Sequence, residues 1–142
     1  MAAVRLQPYR SFADSRSGMP SNHFPEPDAP GTIYLLHYSG ETSQRHRHYL
    51  GWSSDAQARF RRHRSGSGAG ETRRAVAQGL RLTQAQTWKG TPALEKRVKE
   101  WSRQGRKGFS GICPFCAGEA TLPSDLARDL GEPSLRRYQQ SP

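Results

Sequence analysis

Two short apolar runs joined by a polar stretch constrain the fold of this chain more than any other part of its sequence. Residues 32–38 are rich in β-branched and aromatic side chains and are bounded by glycines. Residues 48–52 form a second run of the same kind after the polar stretch. The pattern predicts an antiparallel hairpin with a long loop, which places Tyr34 and Tyr49 on neighbouring strands.

Three further elements are predicted after this hairpin. A capping-box pattern that begins at Ser54 predicts a helix over residues 55–64. The imperfect alternation of residues 80–88 indicates a third strand. Pro92 follows a threonine N-cap and predicts a helix that continues to about residue 103. Because the intervening segment begins with many glycines, residues 65–78 are expected to form a flexible basic flap with one short helix.

These elements define an α/β (α+β) fold, with a small three-stranded antiparallel sheet flanked by helices and with flexible termini. A chain of 142 residues has room for one compact domain. Residues 1–30 contain many prolines and little apolar periodicity, so a disordered tail is expected there. The domain is expected to span residues 31–117, and residues 118–142 to form a C-terminal tail with a short helix near 124–130.

The charge of the chain suits a polyanionic partner. Lys and Arg number 22 against 12 Asp and Glu, which gives a formal net charge of +10. DNA is the expected partner and RNA is not excluded, although genome composition or an anionic membrane surface would also explain the excess. No segment reaches the roughly twenty apolar residues of a membrane span, and no signal-peptide core is present, so a soluble cytoplasmic protein is expected.

The order of several residues resembles the GIY-YIG nuclease module. Its two motifs are matched by Gly31-Thr32-Ile33-Tyr34 and Tyr49-Leu50-Gly51. An arginine follows the second tyrosine by ten residues, and a glutamate occurs at the start of a later helix. The resemblance covers residues 31–116 and implies a metal-dependent endonuclease that hydrolyses phosphodiester bonds in DNA. The lack of an attached sequence-recognition domain favours a structure-specific enzyme, as in repair or recombination.

The resemblance also implies the roles of five catalytic residues. Glu95 would hold a Mg²⁺ or Mn²⁺ ion, and Arg59 would bind the phosphate through its planar guanidinium. Tyr34 and Tyr49 match the tyrosines of the two motifs, and Tyr49 is the expected general base. His63 occupies a position where relatives carry His or Tyr. Since its unperturbed pKa is about 6.5, it is expected to assist or replace Tyr49.

Two departures from the family pattern leave another function open. No asparagine follows Glu95, whereas many relatives have one there, and Trp52 stands where relatives often have a small or basic residue. The tyrosines could be ordinary strand aromatics, and Glu95 could simply pair with Lys99 one helical turn later. The alternative is therefore a catalytically inactive nucleic-acid-binding protein with the same fold.

The two cysteines form a Cys-Pro-Phe-Cys unit that also fits some small bacterial members of the family. Cys113 and Cys116 supply two of the four ligands that a structural zinc ion requires. The other two could come from His46 and His48, or from a second subunit. A redox dithiol, ordinary thiols at the end of the domain, and a zinc-dependent interaction protein remain open alternatives.

Basic side chains around the predicted helices are the expected contacts to nucleic acid. Contacts to phosphates set affinity and register without reading the base sequence. The predicted nucleic-acid-binding residues are Arg61, Arg62, Arg64, Arg73, Arg74 and Lys107.

Overall fold

The computed structural model of the protein describes residues 25–41, 47–104, 108–116 and 122–134. Within these ranges it has the predicted α+β class, with one three-stranded antiparallel sheet and four α-helices. The strands are β1 (Gly31–Ser39), β2 (His48–Ser53) and β3 (Arg81–Gly90). The helices are α1 (Ala56–Arg64), α2 (Gly70–Ala77), α3 (Pro92–Gln104) and α4 (Ser124–Leu130), and the 3₁₀ turns are Gly108–Ile112 and Pro114–Cys116.

The central strand β1 pairs with β2 on one side and with β3 on the other. Tyr34 lies opposite Gly51, and His37 lies opposite His48. Because successive side chains of a strand point to opposite faces, Tyr34 and His37 belong to different faces of the sheet. The predicted hairpin and third strand are therefore confirmed, and their register decides which residues meet.

Each face of the sheet is covered by its own apolar cluster. We call the face that carries Tyr34 the tyrosine face. It packs against α1, α2 and the residues that lead into β3. Its buried residues are Tyr34, Leu36, Tyr38, Ala75, Leu80 and Leu82. The opposite face packs against α3, the 3₁₀ turns and α4, and its cluster includes Ile33, Leu35, Leu50, Leu94, Val98, Cys113, Leu126 and Leu130.

A β-bulge explains why β3 alternates imperfectly. Leu35 pairs with Gln86 and Leu36 pairs with Gln84, which leaves Ala85 as an extra residue on β3. An extra residue changes the side to which the following side chains point. Four consecutive residues of β3, from 85 to 88, are consequently buried.

The ends of two helices test the predicted capping residues. The N-cap of α1 is Asp55 instead of Ser54, because the Asp55 carboxylate accepts a hydrogen bond from the Ala58 N–H at 3.1 Å. This interaction satisfies a free N–H at the helix start and moves the beginning of the helix to residue 56. The predicted cap of α3 is confirmed, since Thr91 Oγ1 accepts a hydrogen bond from the Leu94 N–H at 3.2 Å.

The segment predicted as a basic flap contains a packed helix. Thr72 and Ala75 of α2 are fully buried, although the arginines between them are exposed. The short helix predicted over residues 71–78 is confirmed as α2, whereas the flexibility expected for it is wrong, because the spacing of these two small residues gives the helix a buried side. Glycine content alone did not reveal that side.

The C-terminal helix α4 covers part of the opposite face. The short helix predicted near residues 124–130 is present, and Leu126 and Leu130 are buried in the cluster of that face. On the outside, Arg97 of α3 pairs with Asp129 at 2.7 Å and with Asp125 at 3.3 Å. These pairs are solvent-exposed and contribute little to stability, so the leucines hold the helix in place.

Trp52, which departs from the family pattern, connects the two outer strands. Its indole Nε1 donates a hydrogen bond to the carbonyl oxygen of Gly90 on β3 at 2.9 Å. The ring crosses the opposite face close to Gly31, where an added Cβ would lie 2.6 Å from a ring carbon. The tryptophan thus has a packing role.

None of the helices in the described ranges has the length and apolarity that a bilayer crossing demands.

Candidate functional site

Four of the predicted catalytic side chains lie around the hydroxyl of Tyr34, and Glu95 is near enough to act on it electrostatically. This hydroxyl lies 2.9 Å from His63 Nε2, and the Arg59 guanidinium also acts on it through a hydrogen bond. The negative charge of Glu95 raises the pKa of Tyr34. The Tyr49 ring lies 6.3 Å from the Tyr34 ring and 5.1 Å from the His63 ring. The strands β1 and β2 and the helices α1 and α3 therefore bring together residues that are distant in the sequence.

A chain of hydrogen bonds fixes the proton on His63. The Thr72 hydroxyl donates its single proton to the carbonyl oxygen of Ala69 at 3.0 Å. Thr72 Oγ1 lies 2.7 Å from His63 Nδ1, so it accepts a hydrogen bond from that nitrogen. Nε2 of the neutral ring then has no proton and accepts one hydrogen bond from the Tyr34 hydroxyl.

Burial keeps this tyrosine and this histidine uncharged at neutral pH. Burial, together with the positive charges of Arg59 and Arg62, lowers the pKa of His63 to about 4. Burial raises the pKa of Tyr34 to about 12, although the hydrogen bond from Arg59 opposes the rise. The Tyr34 hydroxyl therefore donates a hydrogen bond to His63, and both side chains are neutral.

Two glycines allow the tyrosine and the histidine to approach the backbone. A Cβ at Gly51, the glycine of the second motif, would overlap the Tyr34 hydroxyl and lie 2.5 Å from Cζ of the same ring. A Cβ at Gly68 would overlap His63 Nδ1. The glycine of the Tyr-Leu-Gly motif is thus required by the position of the first motif's tyrosine.

Replacing Gly51 with alanine is expected to destabilise the fold by about 1–3 kcal/mol, because the added methyl group has no space in a closed core. The Tyr34 hydroxyl would have to leave His63 Nε2. Chemical denaturation measures the change, with Gly70→Ala as the matched control because nothing lies closer than 3.6 Å to a Cβ there. Equal stability of both variants would contradict the assigned contact.

Glu95 is buried at the beginning of α3 and already binds a cation. Only 10% of its side chain is exposed, and its Oε2 lies 2.8 Å from Nζ of Lys99, one turn along the helix. The side chain of Lys99 is 37% exposed. The sequence left open whether Glu95 binds a metal or pairs with Lys99, and the structure contains the pair with Lys99.

A surface groove runs along the edge strand β2. It has a volume of about 1210 Å³. Of the five predicted catalytic residues, Tyr49 alone lines it, and Lys99, Arg47 and Arg103 add positive charge to its walls. His48 and Cys116 line another part, so the groove continues towards the cysteine turn. Arg47 was not among the predicted nucleic-acid contacts.

The two cysteines face two histidines on the opposite face of the sheet. Cys113, Cys116, His37 and His48 each offer one ligand atom, and these atoms all lie within 4.8 Å of one another. His48 was a predicted partner, whereas His46 lies outside the described residues. His37 was missed. Its only signal is that it stands opposite His48 in the hairpin, which requires the register to be known.

Comparisons with known proteins supply no relative from which a function could be transferred. The chain matches no family model, no curated protein and no solved structure. The function therefore has to be inferred from the side chains of the site, their contacts and the charge around them.

The predicted nucleic-acid contacts are mostly solvent-exposed. Arg61, Arg62 and Arg64 lie on α1, on the same helix as Arg59 and His63. Arg73 and Arg74 lie on α2 and are also exposed, and Lys107 is outside the described residues. None of these five arginines forms an ion pair with an acidic residue in the described ranges. Their charges are therefore available to a polyanion.

Proposed function

We propose that this protein is a metal-dependent endonuclease of the GIY-YIG type that hydrolyses phosphodiester bonds in DNA. The observation that carries the proposal is the grouping of four side chains around one hydroxyl, with a fifth near enough to act on it electrostatically. The four are Tyr34, Tyr49, Arg59 and His63, and the fifth is Glu95. Ordinary strand aromatics and surface charges have no reason to converge in this way, so the arrangement supports the resemblance seen in the sequence.

Arg59 is assigned to the phosphate. Its guanidinium reaches the hydroxyl of Tyr34 and remains charged at any physiological pH. Phosphodiester hydrolysis places negative charge on the phosphoryl oxygens in the transition state. Arginine can donate two parallel hydrogen bonds to such oxygens, which a lysine cannot do.

Tyr49 is assigned as the general base that takes a proton from the attacking water. Its ring lines the groove and is half-buried, whereas Tyr34 is almost fully buried and donates its hydroxyl proton to His63. Substrate and water can therefore reach Tyr49 but not the Tyr34 hydroxyl. Tyr34 and His63 act as positioning residues that hold Arg59 and Tyr49 in place.

Glu95 is the residue that would hold the divalent cation. A carboxylate oxygen is the ligand type that Mg²⁺ and Mn²⁺ prefer, and the contact with Lys99 shows that this carboxylate accepts a positive charge. The bound ion would supply Lewis-acid stabilisation of the departing oxygen. Lys99 competes for Oε2, and its partly exposed side chain has room to turn into the groove.

The charge distribution favours DNA recognised by its shape. The exposed arginines of α1 and α2 flank the site, and the chain carries a formal net charge of +10. Such contacts bind phosphates and do not distinguish base sequences. Branched, nicked or flapped DNA of repair or recombination is therefore the preferred substrate class. RNA has the same backbone charge and belongs in the same tests.

A catalytically inactive DNA-binding protein is the second candidate function. Two observations favour it: the ion pair between Glu95 and Lys99, and the absence of any asparagine after Glu95 in the sequence. In that case the groove and the arginines would bind nucleic acid, and Glu95 would only stabilise α3.

Cleavage of a labelled panel tests the proposal. Linear, flapped and branched DNA, and RNA, are incubated with the parent protein in Mg²⁺, in Mn²⁺ or in chelator. We expect cutting that requires metal, and Tyr49→Phe is expected to slow it by about 10²–10⁴-fold. Tyr38→Phe is the matched control, because Tyr38 is buried on the same face and its hydroxyl donates a hydrogen bond to Glu71.

The outcomes separate the two candidate functions. Metal-dependent cutting that Tyr49→Phe removes and Tyr38→Phe retains would support the nuclease. Binding without cutting, on every substrate and with either metal, would instead support the inactive DNA-binding protein. Equal loss in both tyrosine variants would contradict the role assigned to Tyr49.

A further inference from the structure

Two histidines and two cysteines form a compact cluster on the face of the sheet away from Tyr34. His37 Nδ1 lies 3.3 Å from His48 Nε2 and 3.5 Å from Cys113 Sγ. Cys116 Sγ lies 3.7 Å from His37 Nδ1 and 3.4 Å from His48 Nε2. The residues come from β1, β2 and the Cys-Pro-Phe-Cys turn, so the fold brings four ligand atoms to one point.

These distances match the edges of a tetrahedron around one zinc ion. Zinc binds nitrogen at about 2.0–2.1 Å and sulfur at about 2.3 Å, so tetrahedral angles place two nitrogens about 3.3 Å apart and a nitrogen and a sulfur about 3.6 Å apart. The observed separation is 3.3 Å for the two nitrogens, and it is 3.4, 3.5 and 3.7 Å for three nitrogen and sulfur pairs.

Hydrogen bonds can use only some of the short contacts in this cluster. His37 Nδ1 lies within 3.7 Å of three potential partners, namely His48 Nε2 and the two sulfurs. A ring nitrogen has either one proton or one lone pair in its plane, so it serves one of these partners. A cation at the centre would be bound by all four atoms at once.

We propose that His37, His48, Cys113 and Cys116 bind one structural zinc ion. Two thiolates and two imidazoles are a ligand set that suits zinc, whereas Mg²⁺ and Mn²⁺ prefer oxygen ligands. Four protein ligands fill the coordination sphere, so no position is left for water or substrate. The site is therefore structural, and it does not depend on the proposed nuclease function.

A backbone hydrogen bond closes the cysteine turn. The Cys116 N–H donates to the Cys113 carbonyl oxygen at 3.1 Å, which brings the two sulfurs to the same side of the cluster. Both cysteines are free and thus able to bind a metal.

The position of the cluster indicates what the zinc ion does. His37 and His48 are the last paired residues of the hairpin before its loop, and Tyr49 follows His48 directly. A zinc ion would join this end of the hairpin to the segment 108–116, which consists of two short 3₁₀ turns. It would stabilise the fold and hold the strand that presents Tyr49 to the groove.

The test uses the full chain and metal ions alone. Protein purified under reducing conditions without chelator is expected to contain one zinc per chain. After the metal is removed, Co²⁺ is expected to give the intense visible bands of tetrahedral cobalt and the near-ultraviolet bands of sulfur ligation, and Zn²⁺ is expected to abolish both. Removal of zinc is expected to lower the midpoint of thermal unfolding, and Zn²⁺ but not Mg²⁺ should restore it.

Ligand variants identify the four residues. Cys116→Ser and His37→Ala are expected to reduce zinc content and to alter the cobalt spectrum, whereas His46→Ala should retain both. Cys116 is exposed, so its replacement leaves the fold testable, and the cobalt spectrum of the parent protein is informative even if His37→Ala does not fold. A disulfide between the cysteines, a parent protein that binds no zinc, or zinc loss in His46→Ala alone would overturn the proposal. None of these readouts requires cleavage, so failure of the zinc site and failure of the nuclease function are distinguishable.

Discussion

Replacing Glu95 with glutamine is expected to lower the rate of DNA cleavage by at least about 10³-fold, which corresponds to about 4 kcal/mol of transition-state stabilisation. Glutamine preserves the size of a side chain that is only 10% exposed, but it removes the negative charge that would hold the cation. Single-turnover cleavage at saturating protein measures the chemical step. Affinity for DNA, measured by fluorescence anisotropy without divalent metal, is expected to be unchanged, because the exposed arginines make the phosphate contacts.

Two further variants show whether the loss is specific to catalysis. Glu100→Gln makes the same change of charge five residues later on α3, where the exposed Glu100 pairs with Arg103 at 3.1 Å, and it should leave cleavage intact. Lys99→Met removes the cation that pairs with Glu95 and is expected to change the rate by less than about tenfold. If Glu95→Gln and Lys99→Met lowered stability and activity equally, Glu95 would act only through the ion pair, and the catalytic assignment would be wrong.

The parts of the fold that the sequence predicts correctly are those set by neighbouring residues. The strand residues 32–38 combine β-branched and aromatic side chains within one short run. The start of α3 follows from Thr91 and Pro92, whose capping roles require only local backbone geometry. Elements of this kind depend on contacts within a few positions of the chain. Their approximate bounds could therefore be predicted without knowledge of the tertiary structure.

Features that depend on distant contacts could not be predicted in the same way. The bulge at Ala85 depends on how β3 pairs with β1. The buried side of α2 depends on the contact between Thr72 and His63, which lie on different helices. His37 meets Cys113 across 76 positions of the sequence. Such contacts follow from strand register and from the path of the chain, which residue type alone does not specify.

The candidate site shows the same division. The sequence shows the order of the candidate residues along the chain and places each of them on a predicted strand or helix. These residues are Tyr34, Tyr49, Arg59, His63 and Glu95. The sequence does not show which role each of them has. Burial distinguishes the two tyrosines, since Tyr34 is enclosed and bonded to His63 while Tyr49 lines the groove.

His63 is expected to make the folded protein sensitive to acid. Burial, together with the charges of Arg59 and Arg62, lowers its pKa to about 4 in the folded state, whereas the unfolded chain has a value of about 6.5. The unfolded state therefore binds a proton first as the pH falls. The stabilisation from neutral His63 is fully present above about pH 6.5 and is lost as the pH falls to about 4, which amounts to roughly 3 kcal/mol at most.

Urea denaturation at several pH values between about 4 and about 7 measures this loss, with His63→Gln as the matched variant. The glutamine amide can accept a hydrogen bond from Tyr34 and donate one to Thr72, but it does not titrate in this range. Because burial also lowers the pKa of His37 and of His48, and both belong to the proposed metal cluster, the two proteins must be compared in the same metal state. We expect the parent protein to lose stability more steeply than His63→Gln. Equal slopes would show that a charged His63 is tolerated, and they would contradict the proton chain from Tyr34 through His63 to Thr72.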